Sequence, residues 1–315
     1  MNAPAPLGDT SRADRRSLTA IERAGYLPEP SPRDEVMLPL PDPVARPGPT
    51  PIVALLHDGR NRDVLAAIET GLGAVFHGTD RLIVLHGLPP EEEAGSLAYF
   101  LDRHRPSGVV MVPSLAERDD LAALCARAGV ECLRIGGHDL PGCNERRAAG
   151  KAVDRLVELG HTRIGLVAGP EGSASARRRE LGYLDAMAEH GLDRGPALIV
   201  GGDDTFASGI EAGHLLLEIS PRPTAILACN DEMAAGVLHA ASQVGVAVPE
   251  ALSVIGFDDT PLAARTLPPL ASMRLPWSRA GHDAARWLSG AAPAPAPPPE
   301  PDLIARASLG RPAQI

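Results

Sequence analysis

The sequence predicts an α/β protein built as two doubly wound parallel-sheet lobes with a ligand cleft between them. From Pro51 onward, short apolar runs alternate with amphipathic helical stretches, the order that gives parallel strands joined by right-handed crossovers. The alternation runs through two successive series, and 315 residues are too many for one simple core. Polar residues also stand just where the apolar runs stop. In open parallel sheets the carboxyl ends of the strands are where ligands bind.

In the first series, Ile52 to Leu56 reads as a buried strand running into His57, Asp58 and Gly59. Val64 to Phe76 reads as an amphipathic helix and Arg81 to Leu85 as a second strand. PPEEEAGSLAYFLDRH starts a helix with Pro and Glu in its first turn, where the helix dipole favours anions. Gly108 to Val112 is a third strand, leading into Pro113, Ser114 and Leu115. A helix at Asp119 to Ala128 and a strand at Val130 to Ile135 complete the series.

The second series opens with a helix from Arg147 to Leu159, closed by Gly160, and a strand at Ile164 to Ala168. A helix at Ala174 to His190, a strand at Ala197 to Val200 and a helix at Phe206 to Glu218 follow. Ala225 to Cys229 is short enough for a fully buried strand. Asn230 and Asp231 break it, with Asp231 expected as the N-cap of the next helix. That helix carries Met233, Val237, Leu238 and Ala241 on one stripe, and Gly245 and Pro249 end it. Leu252 to Phe257 is the next strand, running into Asp258 and Asp259.

CNDEMAAG (Cys229 to Gly236) followed by VPEALSVIGFDDTPLA resembles the effector domain of the lactose-repressor (LacI/GalR) family of bacterial transcription regulators. GHTRIGLVAGP (Gly160 to Pro170), SARRRELGY (Ser175 to Tyr183) and LPPLASMRLPW (Leu267 to Trp277) extend the resemblance over most of residues 50 to 310. It implies a periplasmic-binding-protein-like fold whose chain crosses back to the first lobe near Ser272 to Trp277. A helix at Ser278 to Leu288 then belongs to that lobe. A final strand at Leu303 to Ala307 returns to the second lobe after an Ala/Pro linker. The expected domains are an irregular arm over 1–50, a first lobe over 51–143 and 276–290, and a second over 144–275 and 302–310. The resemblance further implies a homodimer in which ligand binding reorients the lobes and changes how two DNA-binding headpieces meet an operator.

Composition limits the rest. No apolar run approaches the ~18 residues of a membrane span, and MNAPAPLGDTSRADRR shows no apolar signal-peptide core. No membrane partner is expected, and the cytoplasm is the expected compartment. Cys125, Cys132, Cys143 and Cys229 follow no disulfide or zinc spacing and read as buried thiols. Residues 1–50 hold ten prolines and six arginines against seven carboxylates. Phosphate contact needs local positive charge, which this segment lacks. Leu18, Ile21 and Tyr26 could face one helix resembling the last of a LacI-type headpiece, with no helix-turn-helix before it. Operator DNA is therefore an expected partner only with a complete helix-turn-helix. The alternative is a ligand or sugar sensor without DNA recognition.

Six positions are expected to touch a small polar ligand. Asp258, at a strand end, offers about four lone-pair sites to the hydroxyls of a sugar or polyol. Adjacent Asp258 and Asp259 fit a metal or phosphotransfer site poorly, because neighbouring strand side chains diverge. Asp259 is expected to orient the following turn. Asn230, a mixed donor and acceptor, ends the preceding strand. Arg179 is carried over from the resemblance, as the arginine three residues before the Gly of GY. Arg177 and Arg178 read as solvated surface charge. Trp277 is one of only nine aromatics. It is expected to stack on the ligand or close the cleft floor, with core packing an equal reading. Asp58 and Ser114 complete the set from the first lobe. Ser114 has no His–Asp partners in motif context and is no nucleophile. His161 reads as holding the start of a strand. Nucleotide-binding fingerprints are missing, so neither a cofactor nor an enzymatic reaction is expected.

Overall fold

A computed structural model describes residues 50–137, 143–291 and 300–313. The expected arm and headpiece remnant over 1–49, and the Ala/Pro run over 292–299, lie outside the described residues. The first sheet holds β1 (Ile52–His57), β2 (Leu82–Gly87), β3 (Gly108–Met111) and β4 (Cys132–Arg134), all parallel, in the order β2-β1-β3-β4. Helices α1 (Arg62–Phe76), α2 (Glu93–His104) and α3 (Asp119–Arg127) make the crossovers.

The second sheet is built from β5 (Ile164–Ala168), β6 (Ile199–Gly201), β7 (Ala225–Ala228), β8 (Ser253–Asp258), β9 (Ala271–Arg274) and β10 (Asp302–Ile304). Its order is β10-β9-β8-β7-β5-β6. Helices α4 (Glu145–Glu158), α5 (Ala174–Glu189), α6 (Phe206–Glu218) and α7 (Asp231–Gln243) precede or join these strands, and α8 (Trp277–Leu288) follows β9. The strand order reverses at β1 in one sheet and at β5 in the other. Chains leaving in opposite directions at such points open a crevice beyond the carboxyl ends of the strands.

β5, β7 and β8 are buried along their whole length, as strands covered on both faces must be. α8 reaches back to pack against α1, and two glycines permit the close approach. A Cβ on Gly71 would stand 1.9 Å from the Ser278 carbonyl oxygen, and one on Gly281 would stand 2.1 Å from that of Ile68. This contact fixes α8, whose first residue is Trp277, against α1.

The structure differs from the sequence expectation in several places, among them the strand expected from Ala197, where Pro196–Leu198 form a 3-10 turn and the strand is Ile199–Gly201. Residues 271–274 form β9, so the chain leaves the second sheet only after Arg274. β10 ends at Ile304 and runs antiparallel to β9, because the chain re-enters from α8 in the opposite sense. α4 begins at Glu145, not Arg147, since Asn144 Oδ1 accepts the Arg147 N–H at 3.0 Å. Cys125 and Cys229 are buried, whereas Cys132 and Cys143 are half-buried. Among the described residues, no helix is long and apolar enough to cross a membrane.

Candidate ligand-binding site

The loops after β1, β3, β5, β6, β7, β8 and β9 converge between the two sheets. They surround a cavity of about 40 Å³ walled by Arg60, Asn61, Ser114, Arg179, Asp204, Asp258 and Trp277 among others. By the same measure of about 10–15 Å³ per water, it holds about three waters. Arg60, Asn61, Val64, Asp204 and Asp258 are shared with a wider adjoining cleft of about 560 Å³. That size lies in the roughly 300–1,000 Å³ range of small-ligand sites.

Backbone geometry marks the same region. Asn61 (φ 46°), Asp204 (φ 71°), Asp258 (φ 96°) and Asp259 (φ 52°) all take left-handed conformations, which L side chains rarely adopt. Such strain persists only where surrounding structure holds it, and it gathers at ligand clamps. Ser272 supplies part of that hold by accepting the Asp259 N–H at 3.0 Å. Asp259 in turn accepts from Arg274 Nε at 2.7 Å and Arg306 Nη2 at 2.6 Å, pinning the turn as expected.

Asp258 Oδ1 accepts from Arg179 Nη2 and from Trp277 Nε1, both at 3.1 Å. Its Oδ2 has no hydrogen bond among the described residues, and the side chain is 3% exposed at the cavity wall. Burial raises the Asp258 pKa, and Arg179 partly offsets this. Arg179 is more committed than a free ligand-binding guanidinium. Nε and Nη2 donate to Glu145 Oε1 at 3.2 and 2.9 Å, and Nη1 donates to the Cys229 carbonyl. Its guanidinium carbon also lies 4.8 Å over the Phe257 ring. Burial opposes the charge, but Asp258 and Glu145 overcome it and raise the pKa. Glu145 moves the opposite way: despite burial, Arg179 and Arg178 hold its pKa below the usual carboxylate range.

The expected site residues divide three ways. Arg179, Asp258, Trp277 and Ser114 meet at the cavity. Asn230 faces the wider cleft and spends its groups on structure. Its Oδ1 accepts the Met233 N–H at 2.8 Å, so Asn230, not Asp231, is the N-cap of α7. Its Nδ2 donates to the Asp204 carbonyl at 2.9 Å and meets Asn61 Oδ1 across the cleft at 3.4 Å. Asp58 lines neither space. Its Oδ1 accepts the Arg60 N–H at 3.1 Å, holding the loop after β1.

Asp231 sits inside the first turn of α7. Its Oδ2 accepts the Thr260 N–H at 2.7 Å and hydroxyl at 3.0 Å, and its Oδ1 accepts the Ser272 hydroxyl at 2.6 Å. A Cβ on Gly256 would stand 2.4 Å from that Oδ1, so the carboxylate needs glycine beneath it.

Arg178 corrects the surface-charge expectation, because its Nε donates to Glu145 Oε2 at 2.8 Å and its Nη1 reaches Glu117 at 3.4 Å. Arg177 remains exposed. His161 holds the β5 approach as expected, with Thr224 Oγ1 at 2.9 Å and the Gly310 carbonyl at 3.0 Å.

Sequence reasoning passed over Glu145, Arg60, Asn61 and Asp204. Asp203–Asp204 gave a signal, being a carboxylate pair at a strand end like Asp258–Asp259. Glu145 gave none, because its place depends on α4 starting two residues early. Among the described residues, no three His, Cys, Asp or Glu side chains gather to hold a metal ion.

A two-lobed sheet pair with polar strand ends around a shared cleft defines a binding domain of the periplasmic-binding-protein type. Residues 153–309 match the periplasmic binding protein-like domain family. The chain is similar to transcriptional regulators of the LacI family. It is 36% identical to the HTH-type transcriptional regulator AscG of Escherichia coli K12 over 192 residues, 59% of this chain and 57% of that protein. It resembles a LacI family transcriptional regulator from Mycobacterium smegmatis with TM-score 0.73 and 26% identity, covering 83% of this chain and 100% of that one. The transcriptional regulator CelR–cellobiose complex matches with TM-score 0.74 and 26% identity, over 95% and 92% of the two chains. The chain spans about half the length of the first curated relatives it matches.

Proposed function

We propose that this chain is a bacterial LacI-type transcriptional regulator. It takes a small, hydroxyl-bearing polar ligand between its lobes and changes its hold on operator DNA in response. The observation that carries this reading is the unpaired Asp258 Oδ2, held at the cavity wall by a backbone at φ 96° and by Arg179 and Trp277. An acceptor with an open lone pair at the wall of the cleft, on an otherwise buried side chain, can take a ligand hydroxyl or amine.

Entry of a whole sugar ring into the deep cavity requires the lobes to part. Asn61 to Asn230 and Arg178 to Glu117 meet across the cleft at 3.4 Å each, and the cavity is too small for a sugar ring. A ligand that binds one lobe spacing better than another shifts that equilibrium by its differential affinity. The related complex with cellobiose, together with relatives named as regulators and repressors, favours this reading over a stand-alone ligand sensor. Asp258, Arg179, Asn230, Trp277 and Ser114 form or support the ligand site, and Asp58 supports it through Arg60. The regulator acts in the cytoplasm as a homodimer. Leu82 and Leu85 on edge strand β2, and Tyr99 on α2, leave apolar surface exposed on the first lobe for such a contact.

A thermal-shift screen against sugars, polyols and small acids tests the reading. Ligand at ~100 times its Kd should stabilise the native state by about 2.7 kcal/mol. The same ligand should change DNA retention in a mobility-shift assay. If no member of the screen raises Tm at millimolar concentration, the reading fails.

A further inference from the structure

We propose that the ligand carries a primary ammonium group, which enters the deep cavity and sits between Asp204 and Asp258 while its hydroxylated body lies in the wider cleft. This rests on the proposed ligand-binding role of the cleft and adds to it the charge of the ligand. The first observation is that Arg179, the buried cation at the site, is already committed. Glu145, the Cys229 carbonyl and Asp258 take all three of its nitrogens, so it offers little to an anionic ligand. Arg60, the other cation on the cavity wall, is exposed and leans towards Asp58 at 3.9 Å.

The second observation is the state of the two carboxylates. Asp258 is 3% exposed and keeps Oδ2 unpaired at the wall. Among the described residues the Asp204 carboxylate has one long hydrogen bond, from Asn230 Nδ2 at 3.4 Å, and its backbone is fixed at φ 71°. Both line the deep cavity and the wider cleft. Burial raises the Asp204 pKa; Arg179 opposes this and the Asp258 charge adds to it, and no cation bonds the Asp204 carboxylate directly among the described residues. The wider cleft shows the same imbalance, with Arg60 and Arg62 against Asp63, Asp203, Asp204, Asp231, Glu232 and Asp258 on its wall.

Helix ends do not compensate. At the N-termini of α5, α6 and α7, Ser173, Thr205 and Asn230 each take up one first-turn N–H, which reduces what those ends offer an anion. A cavity with room for about three waters suits an ammonium, which offers three donors in little more than the space of one. A neutral hydroxyl has one donor and cannot serve two carboxylates at once.

The test uses matched probes on the full chain at pH 6.5. Glucosamine, galactosamine and 1-amino-1-deoxysorbitol are each compared with glucose, galactose or sorbitol, and the two amino sugars also with their N-acetylated forms. Thermal shift is followed by titration calorimetry. At least one amine should bind about tenfold or more tightly than its neutral counterparts. Asp204→Asn should abolish that preference while leaving the Tm of the unliganded protein unchanged. A neutral sugar binding as tightly as its amine would overturn the ammonium while sparing the ligand-binding reading. Silence from every amine, when neutral probes shift Tm, has the same meaning. Silence from every probe would remove both.

Discussion

Arg179 and Glu145 form a buried ion pair in which two guanidinium nitrogens, Nε at 3.2 Å and Nη2 at 2.9 Å, converge on one carboxylate oxygen. The pair ties α5 to the start of α4 and holds Arg179 towards Asp258. Removing one partner of a buried pair leaves an uncompensated charge, at a cost of about 3–5 kcal/mol. Glu145→Ala and Arg179→Ala should therefore each lower unfolding free energy by about 3 kcal/mol. Exposed Arg177→Ala should stay within about 0.5 kcal/mol of the parent. Urea unfolding of the three variants checks this, and parent-like midpoints for Glu145→Ala would refute a structural role for the pair.

Trp277 acts on Asp258 through one hydrogen. Its Nε1–H donates to Oδ1 at 3.1 Å, and the ring is 4% exposed at the start of α8. Trp277→Phe keeps much of the packing and removes the donor to a buried carboxylate, a loss of roughly 1.5–3 kcal/mol for a charged hydrogen bond. Less bound to its support, Asp258 should hold a ligand about tenfold or more weakly. Calorimetry with any probe that stabilises the parent measures the change. Affinity unchanged within twofold would show that Arg179 alone positions Asp258.

The sheet pair was legible because buried parallel strands leave continuous apolar runs, and Ile164–Ala168 and Phe206–Glu218 fall where the sequence put them. Strand β9 was not legible, since ASMR is too short and mixed to separate from a loop without its neighbour β8. At the site, the sequence pointed to Asp258, Arg179 and Trp277 as polar or aromatic groups at element ends. It could not show that they bond to one another. Hydrogen-bond partners 19 and 79 residues apart are set by tertiary packing, which leaves no local spacing to read. Glu145 was missed for the same reason, whereas Asp204 was passed over although Asp203–Asp204 repeats the strand-end carboxylate pair. Asn230 was picked as a ligand contact, yet its short side chain was equally suited to the cap it forms.

Asp231 makes stability depend on pH. Burial, then the nearby Asp258 charge, pushes its pKa up to about 7, against hydrogen bonds from Ser272 and Thr260 that favour the charged form. The protonated acid is also fully satisfied. Oδ2 can keep both Thr260 donors while an Oδ1–H turns to the Ser272 hydroxyl oxygen. In the unfolded chain the group titrates near the ordinary aspartate value of about 4. A folded pKa above the unfolded one means that the native state binds the extra proton. Its contribution to stability is thus complete below about pH 4 and is lost as pH rises through about 7. Asp231→Asn mimics the neutral acid, with the amide donating to Ser272 and the carbonyl accepting from Thr260. Relative to the parent, this variant should gain stability steadily between about pH 4 and pH 7, as the parent alone loses it. Urea midpoints for the two proteins across that window measure the difference. A difference that stays flat with pH, or that favours the parent more as pH rises, would mean that Asp231 is ionised throughout and that its three donors outweigh its burial.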